Sequence, residues 1–109
     1  MERSERLLDA GKAVLLIVDM QARLLEPIKV AHKITRNIHR LCQIAKTLEV
    51  PTLATTHNAE KLGGITTEFE NEAWYNEAID KLTFSCLGSD LFLRRFQEIG
   101  RPQVLLTGI

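Results

Sequence analysis

Cysteine is scarce in this sequence, with two residues in 109. Cys42 and Cys86 show no C-x-x-C or metal-site spacing, which suits a reducing cytoplasm better than a disulfide framework. An excess of either charge is missing too. Fourteen Lys and Arg cancel fourteen Asp and Glu, so nothing in the balance points to nucleic acid or an anionic membrane as a partner. No apolar run approaches the ~20 residues that cross a bilayer, which excludes a transmembrane helix. The N-terminus, Met1-Glu2-Arg3-Ser4-Glu5-Arg6, is charged and leads into no long apolar region, so it is no signal peptide. Neither GxGxxG nor GxxxxGK[ST] occurs, and Gly63-Gly64 therefore makes no phosphate loop. Repeats, low-complexity tracts and linkers are absent as well. A cytoplasmic chain of one domain at most, spanning residues 1–109, is expected.

What is present is organised around Ala13-Val14-Leu15-Leu16-Ile17-Val18-Asp19-Met20-Gln21. Six apolar residues without alternation read as a strand buried on both faces, hence part of a parallel sheet covered by helices. An unpaired charge inside such a sheet costs several kcal/mol, about the price of burying an ion, so Asp19 belongs where the strand leaves the core. In open α/β sheets ligands bind at that carboxyl end. Asp19 is thus a candidate for chemistry, with capping of the next loop as the plain alternative.

Ahead of this strand, residues 1–12 read as a short amphipathic lead-in with Leu7 and Leu8 available for packing. Behind it, residues 21–29 form a connecting loop with Pro27. Ile34, Ile38, Leu41, Ala45 and Leu48 then recur at helical spacing, predicting an amphipathic helix over about 30–49 with Cys42 beside the stripe as a small buried hydrophobe. Residues 50–56 predict a second strand, with Pro51 at its first position, completing a right-handed βαβ unit. A polar loop from His57 to Gly64 follows. Thr67 and Glu70 have capping-box spacing for a short helical turn, and an irregular loop around Trp74 and Tyr75 fits equally well. Residues 78–84 are a third strand candidate. Ser89 then opens a second helix as N-cap, with Phe92, Phe96 and Ile99 on one face, Gly100 ending it and Pro102 following. Residues 103–109 predict a fourth buried strand. So apolar a strand calls for a covering helix after it, and a fragment of a longer α/β domain is expected.

If the first and third strands share one edge, Lys81 can meet Asp19, hold the carboxylate ionised and help activate a nucleophile; an ordinary ion pair at the sheet rim fits the spacing too. His57 could act as acid, base or ligand, or simply be solvated. No Asp-x-His or His-x-His accompanies it, so no metal is assigned. Cys86, close in sequence to Lys81, is either a reactive thiol or an inert one between apolar flanks.

Leu15 to Gln21 (LLIVDMQ), Leu48-Glu49-Val50-Pro51, Lys81-Leu82-Thr83-Phe84-Ser85 and Val104-Leu105-Leu106-Thr107-Gly108-Ile109 resemble, in this order, the isochorismatase-like cysteine hydrolases. Lys61-Leu62-Gly63-Gly64 resembles the branch named isochorismatase domain-containing proteins. The resemblance implies a three-layer, Rossmann-like α/β fold, a homo-oligomer, a small-molecule substrate and no cofactor. It also implies a Cys-Lys-Asp triad. Asp19 would take the thiol proton, Lys81 would stabilise negative charge, and the cysteine would attack an amide-type or related C–N or C–O substrate. From their positions alone, after the first and second strands, Gln21, His57 and Asn58 are expected to face the substrate. The family nucleophile lies a few residues beyond the pair matching Gly108-Ile109, and neither Cys42 nor Cys86 matches it. This chain alone is therefore expected to be inactive. The alternative expectation is a non-catalytic module completed by a partner or by further copies.

Overall fold

A computed structural model describes residues 7–109. Four parallel strands, β1 (Ala13–Val18), β2 (Thr52–His57), β3 (Ile79–Lys81) and β4 (Gln103–Gly108), form one sheet in the order β3-β2-β1-β4. The helices are α1 (Ala22–Leu25), α2 (Ala31–Thr47), α3 (Ala59–Leu62) and α4 (Asp90–Ile99). The chain winds from β1 to β2 to β3 in one direction and returns for β4 on the far side of β1. That reversal creates a crevice outside the strand ends. The fold is the three-layer α/β arrangement expected from the sequence.

Strand residues two apart share a face, and this parity sorts the core into two layers. Leu15, Ile17 and Ala54 join Ile38, Cys42 and Ala45 of α2, together with Met20, Ile65, Phe69 and Trp74. Val14, Leu16, Leu53 and Ile79 join Phe92 of α4 on the other face. Helix α4 is closed as its sequence dictates. Ser89 Oγ accepts from the Phe92 N–H at 3.2 Å, and Gly100 takes the left-handed conformation at φ 66°.

Several expectations are corrected. The third strand ends at Lys81 rather than Phe84, because Leu82 and Phe84 have swung out into solvent. β2 starts at Thr52, so Pro51 precedes it. Within residues 21–29 a short α1 forms. The expected short helical turn does form, as a 3-10 turn over Thr67–Phe69, but without the capping box. Among the described residues β4 pairs with β1 alone, and Val104 and Leu106, on the α4 face, are exposed because nothing packs over them there. In the lead-in Leu7 and Leu8 are exposed, and its residues 1–6 lie outside the described residues.

Cys42 sits in the buried line of α2 with Thr35, Ile38 and Ala45. Burial raises its thiol from 9.0 to about 11, the Glu72 carboxylate adds to this, and the Trp74 indole N–H partly offsets both. That N–H has no partner of good hydrogen-bond geometry, consistent with a weak pull. A thiol raised on folding keeps its proton longer in the native state. Its share of stability is therefore present below about pH 9 and is lost as pH climbs through about 11. Urea unfolding of the unsubstituted chain and Cys42→Ala at pH 7 and pH 10.5 checks this: the unsubstituted chain should lose more stability between the two pH values.

Candidate active site

The four strands end together, and each end gives one residue to a common cavity. Asp19 follows β1, His57 closes β2, Lys81 closes β3 and Ile109 follows β4; Leu24 and Phe84 complete the lining. The cavity measures about 270 Å³, small beside the ~300–1,000 Å³ of drug-sized ligand sites.

Face parity explains why Asp19 and Lys81 meet. Lys81 lies two residues beyond Ile79 and Thr55 two beyond Leu53, so both lie on the α4 face of the sheet. Asp19 joins them by leaving the strand in the left-handed region, φ 53°, where Asp is among the better-tolerated residues. Its backbone N–H donates to the Thr55 carbonyl at 3.1 Å. The Thr55 hydroxyl donates to Asp19 Oδ1 and the Lys81 ammonium donates to Oδ2, both at 2.9 Å. The Lys81 side chain is 1% exposed and that of Asp19 13%. This is a desolvated, charge-assisted pair rather than a solvated one at the rim. Both side chains line the crevice, the carboxylate with more of its surface open to it.

Of the residues expected to face the substrate, His57 lines the cavity, with its ring tilted toward Phe84 at 6.0 Å between centroids. Gln21 and Asn58 lie outside the lining. Gln21 is fully buried, with its carboxamide bonded to the backbone of His57 and Gly63. Asn58 adopts φ 46° and donates its backbone N–H to the Lys81 carbonyl at 2.9 Å. Neither cysteine lines the cavity: Cys42 belongs to the α2 layer and Cys86 packs at the edge of the α4 layer. Among the described residues no three His, Cys, Asp or Glu side chains come together as a metal ion requires.

Beyond Leu24 and Ile109 of the lining, Thr55 and Phe84 have no signal as site residues in the sequence. Thr55 looks like any strand threonine until its register beside Val18 is known. Phe84 is 97% exposed and still walls the cavity, which an apolar residue in a strand candidate does not suggest.

Gly108 brings β4 against β1 beside this site. Its φ is 116°, and a Cβ there would lie 2.1 Å from the Val18 carbonyl oxygen. Gly108→Ala cannot be accommodated with the strand in place. The cheapest relief is to peel 108–109 away, breaking the Ile109 N–H bond to Val18 O. The expected result is a global stability loss of under about 1 kcal/mol, as for a frayed end, with rapid exchange of the Ile109 amide. Urea unfolding and amide exchange together check it.

A family model described as "Isochorismatase domain" matches residues 13–109. No curated protein sequence matches. Among solved structures, YcaC from Pseudomonas aeruginosa, bound to hexane-2,5-diol and covalent acrylamide, superposes with a TM-score of 0.83 at 22% identity, covering 99% of this chain and 55% of its own. The YcaC gene product of Escherichia coli, described as an octameric hydrolase of unknown specificity, gives 0.78 at 22% identity with the same coverages. The MAR1 ribonuclease of Caenorhabditis elegans gives 0.77 at 22% identity, covering 93% and 52%. The chain spans about half the length of these structures, and at such identity they show a shared fold.

Proposed function

The chain belongs to the isochorismatase family, and from that premise we propose that Asp19 and Lys81 are two members of a Cys-Lys-Asp hydrolytic site for a small amide-type or related C–N or C–O substrate. The observation that carries this reading is the buried 2.9 Å ion pair opening onto a small cavity at the strand ends. A cysteine thiol, supplied from outside these 109 residues, gives its proton to Asp19. The thiolate attacks the substrate carbonyl carbon while Lys81 stabilises the negative charge. The leaving amine departs with the proton, and water then cleaves the thioester to acid and free thiol. Backbone N–H groups ahead of the nucleophile would hold the oxyanion, an effect typically worth ~3–4 kcal/mol. The 109 residues are, in this reading, the N-terminal portion of one such domain, acting in a reducing cytoplasm as a homo-oligomer. The name of the ribonuclease neighbour brings no reaction with it at 22% identity.

The test is ammonia release from a panel of small carboxamides by protein carrying the sequence as it continues in its native source. Lys81→Met should lower kcat/KM by at least about 10³-fold, as expected for a member of a cooperating triad. The 109-residue chain should release none. Turnover indifferent to Lys81→Met sinks the reading.

A second reading, an interaction module without catalysis, has the exposed β4 edge in its favour, with Leu106 68% exposed. Turnover separates the two, since both allow an oligomer: a defined, concentration-dependent oligomer by sedimentation, with no carboxamide turnover by the protein as its sequence continues in the native source, supports the module.

A further inference from the structure

Asp19 and Lys81 meet across a strand that belongs to neither, since β2 lies between β1 and β3. Their spacing depends on how the end of β2 is held on each side. Toward β3 the ladder runs to the level of the pair: His57 is in register with Lys81. Toward β1 it stops sooner. The last registered pair is Val18 with Thr55, and the main chain then turns away through Asp19.

The side chain of Gln21 takes over where the main chain leaves. Its Oε1 accepts from the His57 N–H at 2.7 Å, and its Nε2 donates to the His57 carbonyl at 3.1 Å. These replace the two bonds that the main chain of a neighbouring strand would make to His57. The second Nε2 hydrogen goes to the Gly63 carbonyl at 2.6 Å. Gln21 is in turn tied to Asp19, its backbone N–H donating to the Asp19 carbonyl at 2.8 Å. The job needs a planar group that donates and accepts at once. Glutamate accepts but would set a carboxylate against two carbonyls, and methionine, of equal length, does neither.

We infer that Gln21 is a positioning residue: its carboxamide continues the β1–β2 ladder past the turn at Asp19 and thereby sets the distance from Asp19 to Lys81. It acts through the His57 backbone, away from the cavity. Calling that distance functional rests on the hydrolytic reading of the pair.

The experiment is NMR on the ¹⁵N-labelled 109-residue chain, which needs no turnover, so a failed hydrolysis assay leaves it intact. In the unsubstituted chain the Gln21 Nε2 hydrogens and the His57 amide should exchange at least about 100-fold more slowly than free amides. In Gln21→Met the His57 amide should exchange at least about tenfold faster and the Lys81 Nζ resonance should shift, with the Ile17 and Leu53 amides unchanged. An unaltered His57 amide overturns the inference. So does a uniform loss of protection with Lys81 Nζ unmoved, which is the signature of a merely structural residue. Should Gln21→Met not fold, the unsubstituted chain decides: fast exchange of the Gln21 side-chain hydrogens overturns the inference as well.

Discussion

Asp19→Ala is expected to destabilise the chain by about 3–5 kcal/mol, the usual cost of stranding one member of a buried ion pair. The Lys81 ammonium is held in a side chain 1% exposed, and its hydrogen bond runs to Asp19 Oδ2. Removing the carboxylate leaves that charge in a dry setting. The reverse change is milder. In Lys81→Met the carboxylate is left, but it is 13% exposed and still accepts from the Thr55 hydroxyl, while the methionine refills the apolar path of the lysine stem. A loss nearer 1–3 kcal/mol is expected there, typical of one unmade bond to a buried group. The double variant should recover most of what Asp19→Ala loses, since no charge is then stranded. Urea unfolding at pH 7 of the four proteins closes the cycle. If both single changes cost less than about 1 kcal/mol, the pair behaves as a solvated surface bridge.

The same pair shows how far the sequence could be read. That Asp19 ends a buried strand follows from an apolar run stopped by a carboxylate, and the sheet face of Lys81 follows from its distance to Ile79. The contact itself needs the strand order. It exists because β2 separates β1 and β3 by one strand and because Asp19 turns out through a positive φ, and neither fact has a local signature. Gln21 shows the complementary difficulty. A glutamine after a strand reads as a polar residue near a site, whereas its carboxamide is spent on the backbone of residues far along the chain. β4 is a different case: Val104, Leu105 and Leu106 have the composition of an interior strand, while among the described residues β1 alone pairs with it and Val104 and Leu106 are exposed.

The covering of the α2 face was the least legible part, and the second large effect comes from it. The β2–β3 crossover carries no long helix; the segment from Gly63 to Glu77 does that work with two 3-10 turns. Periodicity cannot announce such a segment, because irregular chain has no period. Its anchors are particular side chains. Phe69 is fully buried, with its ring 4.5 Å from that of His39 on α2 and 5.4 Å from Trp74, between centroids. The segment is also stitched to β1's end by the Thr66 N–H donating to the Met20 carbonyl at 2.8 Å and by the bridge between Gln21 and Ile65. Phe69→Ala should therefore cost about 3–5 kcal/mol, the range for emptying an aromatic core site. Phe69→Leu, which keeps most of the volume, should cost clearly less. Urea unfolding gives the magnitudes, and amide exchange at Thr66 tells where the loss falls. A cost under about 1 kcal/mol with fast exchange at Thr66 would mean that the segment opens by itself, outside the cooperative unit. Equal loss of protection at Thr66 and Ile17 would mean that it folds with the sheet, and that one aromatic ring in an irregular segment holds the floor beneath Gln21 and the Asp19–Lys81 pair.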